Sequence, residues 1–154
     1  MSAAGVVVSI HIFPVAAGPG ESRAACRAVP GQGLEGDRYA SQRGSFSDRG
    51  GPQREVTLIE EEAVRALLRD YKVELGPGDS RRNITTRGVA LNHLVGREFR
   101  VGEVTLRGIK LCEPCSHLEK LTKPGVLKGL IHRGGLNAQV LKAGVIRVGD
   151  AVLP

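Results

Sequence analysis

Arg97-Glu98-Phe99-Arg100-Val101-Gly102-Glu103-Val104-Thr105-Leu106-Arg107-Gly108 is the stretch on which the fold turns. Along an extended chain successive side chains alternate in direction, so Phe99 and Val101 share one face. Val104 and Leu106 do the same on the return. Gly102-Glu103 between them suits a tight two-residue turn with glycine first. The stretch predicts an antiparallel hairpin over 97–101 and 104–108 with one apolar face.

Working outward, 136–141 and 145–148 form a second candidate hairpin across Ala143-Gly144. Far upstream, 5–13 is β-branched, is closed by Pro14 and predicts a strand; 26–29 and 55–59 predict two more. One clear helix is predicted over 60–71, where Ala63, Val64, Leu67, Leu68 and Tyr71 recur at helical spacing. Glu60, Glu61 and Glu62 sit in its first turn, where the helix dipole favours acids, and that explains them without a catalytic role. Within 112–133 one or two short helices are expected, with Leu118, Leu121, Val126, Leu127, Leu130 and Ile131 as their apolar face. Residues 31–52 are polar and glycine-rich and read as a long loop of the kind that often carries function. The sum is a β-rich α+β chain, most simply a closed or nearly closed β-barrel with a few short helices, forming one domain over 1–154.

Composition agrees. With 21 Gly, 8 Pro, 3% aromatics and no Trp, the core rests on Val, Leu, Ile and Ala, and short strands with tight turns are favoured over long helices. Charge is uneven: 9 Lys/Arg against 10 Asp/Glu in residues 1–77, and 13 against 6 in residues 78–154. A basic second half suits an anionic partner: a phosphate-bearing small molecule, an acidic protein or a nucleic acid. So few aromatics argue against stacking on single strands, which makes nucleic acid the weaker expectation. Three cysteines do not make a disulfide framework. The apolar run 6–13 is too short to span a membrane and has no basic leader before it. A cytoplasmic protein with reduced thiols and no membrane partner is expected.

Several motifs carry chemistry. Gly31-Gln32-Gly33-Leu34-Glu35-Gly36 matches the dinucleotide fingerprint, but no apolar helical stripe follows it, so a Rossmann site is not expected. Arg81-Arg82-Asn83-Ile84-Thr85-Thr86 packs two guanidiniums, an amide and two hydroxyls into six residues. Strand alternation would put Arg82 and Ile84 on one face and Asn83 and Thr85 on the other. Such groups suit a phosphate or a heterocycle, and equally an edge strand with solvated arginines. Cys112-Glu113-Pro114-Cys115 is a C-x-x-C. Zinc would need a second ligand pair from Cys26, His11, His93, His117 or His132. A thioredoxin-like dithiol would need a βαβ context. The third reading is a single functional thiolate at Cys115, favoured if a helix begins near Ser116; Cys112 then continues the strand before it as an inert thiol. A small buried thiol remains open for Cys115 as well. His132-Arg133-Gly134-Gly135 reads either as an anion-binding turn or as a plain glycine turn.

Taken together, these segments resemble one family. They run from Gly36-Asp37-Arg38-Tyr39 through Arg54-Glu55-Val56-Thr57-Leu58-Ile59-Glu60 and Arg82-Asn83-Ile84-Thr85-Thr86-Arg87-Gly88 to Pro114-Cys115, Gly134-Gly135-Leu136 and Gly144-Val145-Ile146-Arg147-Val148-Gly149-Asp150. The chain resembles the MOSC family, named for the C-terminal domain of molybdenum cofactor sulfurase. The resemblance implies a β-barrel with small flanking helices and a link to the molybdenum cofactor (molybdopterin). Some members are proposed to take sulfur from a pyridoxal-phosphate-dependent cysteine desulfurase; others hold the cofactor and reduce N-hydroxylated compounds with electrons from a donor protein. The family cysteine falls on Cys115, as catalytic thiol and metal ligand. Contacts to the anionic pterin fall on Asp37, Arg38, Arg82, Asn83, Thr85, Arg133 and Gly134, and pyridoxal phosphate enters only through a partner. The sequence shows neither the N-terminal barrel extension of the larger reductases nor a ferredoxin-like cysteine set. It reads as a bare MOSC domain that handles the cofactor or its sulfur.

Overall fold

The computed structural model describes residues 4–37 and 55–154. Its strands are β1 (Gly5–Ile12), β2 (Glu21–Arg23), β3 (Ala25–Val29), β4 (Gly33–Leu34), β5 (Val56–Glu60), β6 (Ile84–Arg87), β7 (Glu98–Val101), β8 (Val104–Leu111), β9 (Leu136–Lys142), β10 (Gly144–Arg147) and β11 (Ala151–Leu153). The helices are α1 (Glu61–Tyr71), α2 (Ser116–Leu121) and α3 (Val126–Gly129), with a 3₁₀ turn at Leu91–Leu94. Seven strands close a barrel in the order β1-β11-β7-β8-β9-β5-β6 and back to β1. Every neighbouring pair is antiparallel except β5–β6, whose parallel pairing needs a crossover that α1 supplies. β2 pairs with the end of β1, and β10-β3-β4 make a separate small sheet.

Alternation builds the interior. Val7, Ile10, Leu58, Ile84, Val101, Leu106, Leu136 and Val152 are all but fully buried in the barrel core. A second apolar cluster lies outside the barrel, where α1, α2 and α3 bring Leu67, Leu118, Val126 and Leu130 against Ile59. The β7–β8 hairpin has the expected register, Val101 opposite Val104. Gly102 takes φ 59°, the left-handed conformation that this turn demands of its first residue.

Four expectations need correction. The segments 136–141 and 145–148 are strands but not a hairpin. β9 pairs with β8 along its length and with β5 over Leu136–Ala138, while β10 turns away to pair with β3 in the separate sheet. The buried stripe of α1 is Ala63, Ala66 and Leu67, while Leu68 and Tyr71 are exposed; Gly129 packs against Leu67 and Tyr71 at one side of that stripe. The segment 81–86 is no edge strand. β6 lies between β5 and β1, and Arg82, Asn83 and Ile84 are consecutively buried instead of alternating. Finally, the start of the expected loop is not all loop: Gly31 lies in the β3–β4 turn and Gly33–Leu34 is β4, with φ of 79°, 114° and 85° at Gly31, Gly33 and Gly36. Of the expected long loop, residues 38–52 lie outside the described residues. Among those described, no helix is long and apolar enough to cross a membrane.

Candidate functional site

Three backbone segments meet at one end of the barrel. After β8 the chain stays extended, and Cys112 N donates to Gly135 O at 2.8 Å. The lead-in to β6 contributes Arg82, whose Nε donates to Gly134 O at 2.7 Å and whose Nη2 donates to Cys112 O at 2.9 Å. One guanidinium thus bolts the cysteine segment to the turn before β9. Arg82 is only 8% exposed. Its Nη1 makes no hydrogen bond among the described residues. At Gly134 any Cβ would collide with the Cys112 carbonyl and with Pro114, so the close approach needs glycine.

Glu113 adds a second bolt. Its Oε1 accepts from His132 N and its Oε2 pairs with His132 Nδ1, each at 2.7 Å. His132 sits at φ 61°, and its carbonyl accepts from Asn92 Nδ2 at 2.8 Å. Two residues past the second bolt stands Cys115. It is exposed, extended in backbone (φ −140°, ψ 171°) and caps α2, its Sγ accepting from Leu118 N at 3.5 Å. A helix does begin at Ser116, as the thiolate reading requires. Negative sulfur would strengthen the hydrogen bond that it accepts. α2 is held in turn by Leu118 in the apolar cluster, and by Glu119 Oε1, which accepts from Gly125 N and Leu127 N of the α3 start.

Beneath the rim lies a buried polar knot. Asn83 Oδ1 accepts from Thr57 N and Thr57 Oγ1, while its Nδ2 donates to His11 O and to Asp37 Oδ1. Asp37 Oδ1 also accepts from Phe13 N at 2.8 Å. The amide of Asn83 is therefore saturated by the protein. Cys26 is buried in β3, and burial pushes its thiol pKa up, which suits an inert thiol.

The structure therefore joins Arg82 to Gly134 and to Cys112, three residues before Cys115, with Arg133 next to Gly134 in the chain, and joins Asn83 to Asp37. Thr85 is half-buried within β6, paired with Ser9 and Ile59. Arg38 lies outside the described residues. Sequence reasoning missed Glu113, which stood in view between the two cysteines while only the thiols were weighed. It also missed Glu60. That residue precedes α1 and accepts from Leu91 N at 3.1 Å through Oε2. Burial raises its pKa, opposed by that N–H and by the nearby Arg133 and His93 charges. Glu60, Asn92, His93, His132 and Arg133 line a cleft of about 450 Å³ beside the rim. A further cleft of about 390 Å³ runs from Phe13 and Arg81 to Thr122 and Lys123. There the Arg81 guanidinium stacks 4.6 Å from the Phe13 ring centre and donates to Gly18 O. Among the described residues no three His, Cys, Asp or Glu side chains converge as a metal cage.

The MOSC domain family matches residues 47–153. No curated protein sequence matches the chain. Among solved structures, the YuaD protein of Bacillus subtilis superposes with TM-score 0.78 at 13% identity, covering 97% of this chain and 94% of that one. YiiM of Geobacillus stearothermophilus gives TM-score 0.70 at 17% identity, covering 97% and 74%. YiiM of Escherichia coli gives 0.70 at 18%, covering 98% and 69%. At such identities the likeness is one of fold.

Proposed function

Because this chain belongs to the MOSC domain family, we propose that it binds the molybdenum cofactor, with Cys115 as the protein ligand to molybdenum. The observation that carries the reading is the rim itself. An exposed thiol lies three residues past a backbone carbonyl held by a guanidinium nine-tenths buried, whose Nη1 is unbonded among the described residues. The donor set fits the group: a thiolate is a soft ligand suited to such a metal, and a guanidinium suits a pterin phosphate. In this reading Cys115 holds the metal, and Arg82 Nη1 and Arg38 hold the phosphate. Gly134 lets the cysteine segment lie close, and Asp37 and Asn83 keep the floor rigid. When bound, the cofactor would supply two-electron redox and atom-transfer chemistry. The chain's own part is to orient it through Cys115 and neutralise its anion through Arg82. Reduction of N-hydroxylated compounds is the activity to assay on loaded protein.

The test is metal and pterin analysis of protein made in a host that synthesises the cofactor, beside Cys115→Ser. Molybdenum with pterin near one per chain, lost in the variant, is expected. Equal loading of the variant would overturn the reading.

The exposure of Cys115 supports a second reading. The thiol would carry sulfur as a persulfide received from a pyridoxal-phosphate-dependent desulfurase, a reversible state of an accessible thiolate. Intact-mass spectra after exposure to a cysteine desulfurase should then show one added sulfur, located at Cys115. An unmodified Cys115 would remove this reading.

A further inference from the structure

Beyond the His132–Glu113 clamp lies the cleft of about 450 Å³ at the start of α1, within the roughly 300–1,000 Å³ of ordinary ligand sites. Its charge is divided. Glu60 enters from the end of β5, with Oε2 committed to Leu91 N and Oε1 left over. Glu62 also lines it, with Oε2 committed to Gly88 N. Arg133 enters from the turn before β9; it is exposed, its backbone N–H donates to Leu130 O, and its side chain makes no hydrogen bond or ion pair among the described residues. Of the other cationic groups, Arg69 is held by Asp70 and His132 by Glu113, while the His93 ring lines the cleft beside Arg133 without a side-chain bond among the described residues. Glu60 and Arg133 feel each other's charge, yet they do not close into an ion pair across the cleft.

A phosphate dianion would meet two carboxylates here, and a simple cation would meet the unspent guanidinium. A small molecule bearing both charges satisfies both walls. We infer that this cleft binds a small zwitterion of the α-amino-acid type, its carboxylate on Arg133 and its ammonium on Glu60. Carboxylate on guanidinium is a strong bidentate contact, and ammonium on carboxylate is likewise charge-assisted. Ala63, Ala66 and Ala90 supply an apolar lining for a side chain. This assignment goes beyond the cofactor reading and stands without it.

Saturation-transfer NMR on the full chain tests it, with the proteinogenic α-amino acids one at a time and with acetate and methylammonium as single-charge controls. At least one amino acid should bind, about tenfold more tightly than either control. Arg133→Gln and Glu60→Gln should each weaken it about tenfold, the effect of one lost charge-assisted contact. Both variants should fold, since the Arg133 guanidinium has no bond to lose among the described residues and Glu60→Gln keeps an acceptor oxygen for Leu91 N; circular dichroism checks this. No binding by any amino acid, or binding unchanged in either variant, overturns the inference. So does loss of molybdenum from Arg133→Gln where the wild type carries it, because Arg133 would then belong to the pterin. Wild-type protein without molybdenum would defeat the cofactor reading and leave this one to the NMR result.

Discussion

Glu55 shows what single residues do in this chain. It is 6% exposed, and its Oε1 alone accepts from Gly31 N at 3.3 Å and Val140 N at 3.0 Å. Burial holds its carboxyl above the ordinary value of 4.5, against the pull of both N–H groups. The folded state therefore keeps a proton that the unfolded state has already released. Stability from this group is fully present below about pH 4.5 and declines as pH rises through the raised value. Glu55→Gln retains the accepting oxygen without the charge. It should match or exceed wild-type stability at neutral pH and flatten the pH dependence just above 4.5. Glu55→Ala leaves two buried donors unsatisfied and should lose about 2–4 kcal/mol. Urea titrations of both variants across that range decide it, and a Gln variant as weak as Ala would refute the argument. The sequence could not show this, because the partners stand 24 and 85 positions away. Cys115 and Arg82 were legible because a thiol at a helix start and clustered guanidiniums have few uses. Glu113 was not, since nothing local indicates a partner 19 residues on.

Short elements depend on close approach. The turn before β9 can touch the cysteine segment only because Gly134 lacks a side chain. Gly134→Ala forces its Cβ into the Cys112 carbonyl and Pro114, breaking the bond geometry that Arg82 spans. Overpacking of this kind costs about 1–3 kcal/mol. At about 2–4 °C per kcal/mol for a chain of this size, the melting temperature should fall by several degrees. Molybdenum loading should fall with it, because the Cys115 segment is displaced. An unchanged melting temperature would mean that the two segments are not bolted as described. The β7–β8 hairpin was readable because its turn and both alternations lie within twelve residues of sequence. The false hairpin of β9 with β10 followed from equally good local patterns. What misled was pairing over long separations: β9 is taken by β8 and β5, both upstream, and β10 by β3.

Closure is a property of the whole molecule. β11 is three residues long, yet it joins β7 to β1 and completes the barrel. Val152 is fully buried there, opposite Gly5 and Val101. Val152→Ala should cost roughly 1–3 kcal/mol, read as a lower urea midpoint with unchanged slope. A loss under about 0.5 kcal/mol, the range of surface substitutions, would show that closure there is slack. The sequence by itself determined the barrel class, most of its strands and the helix after β5. Each follows from side-chain periodicity or turn chemistry within a dozen residues. Only the tertiary structure decided strand order, the face that α1 buries, the saturation of Asn83 and the split-charge cleft of Glu60 and Arg133. Those depend on contacts between residues tens of positions apart, and such contacts leave no local period in the sequence.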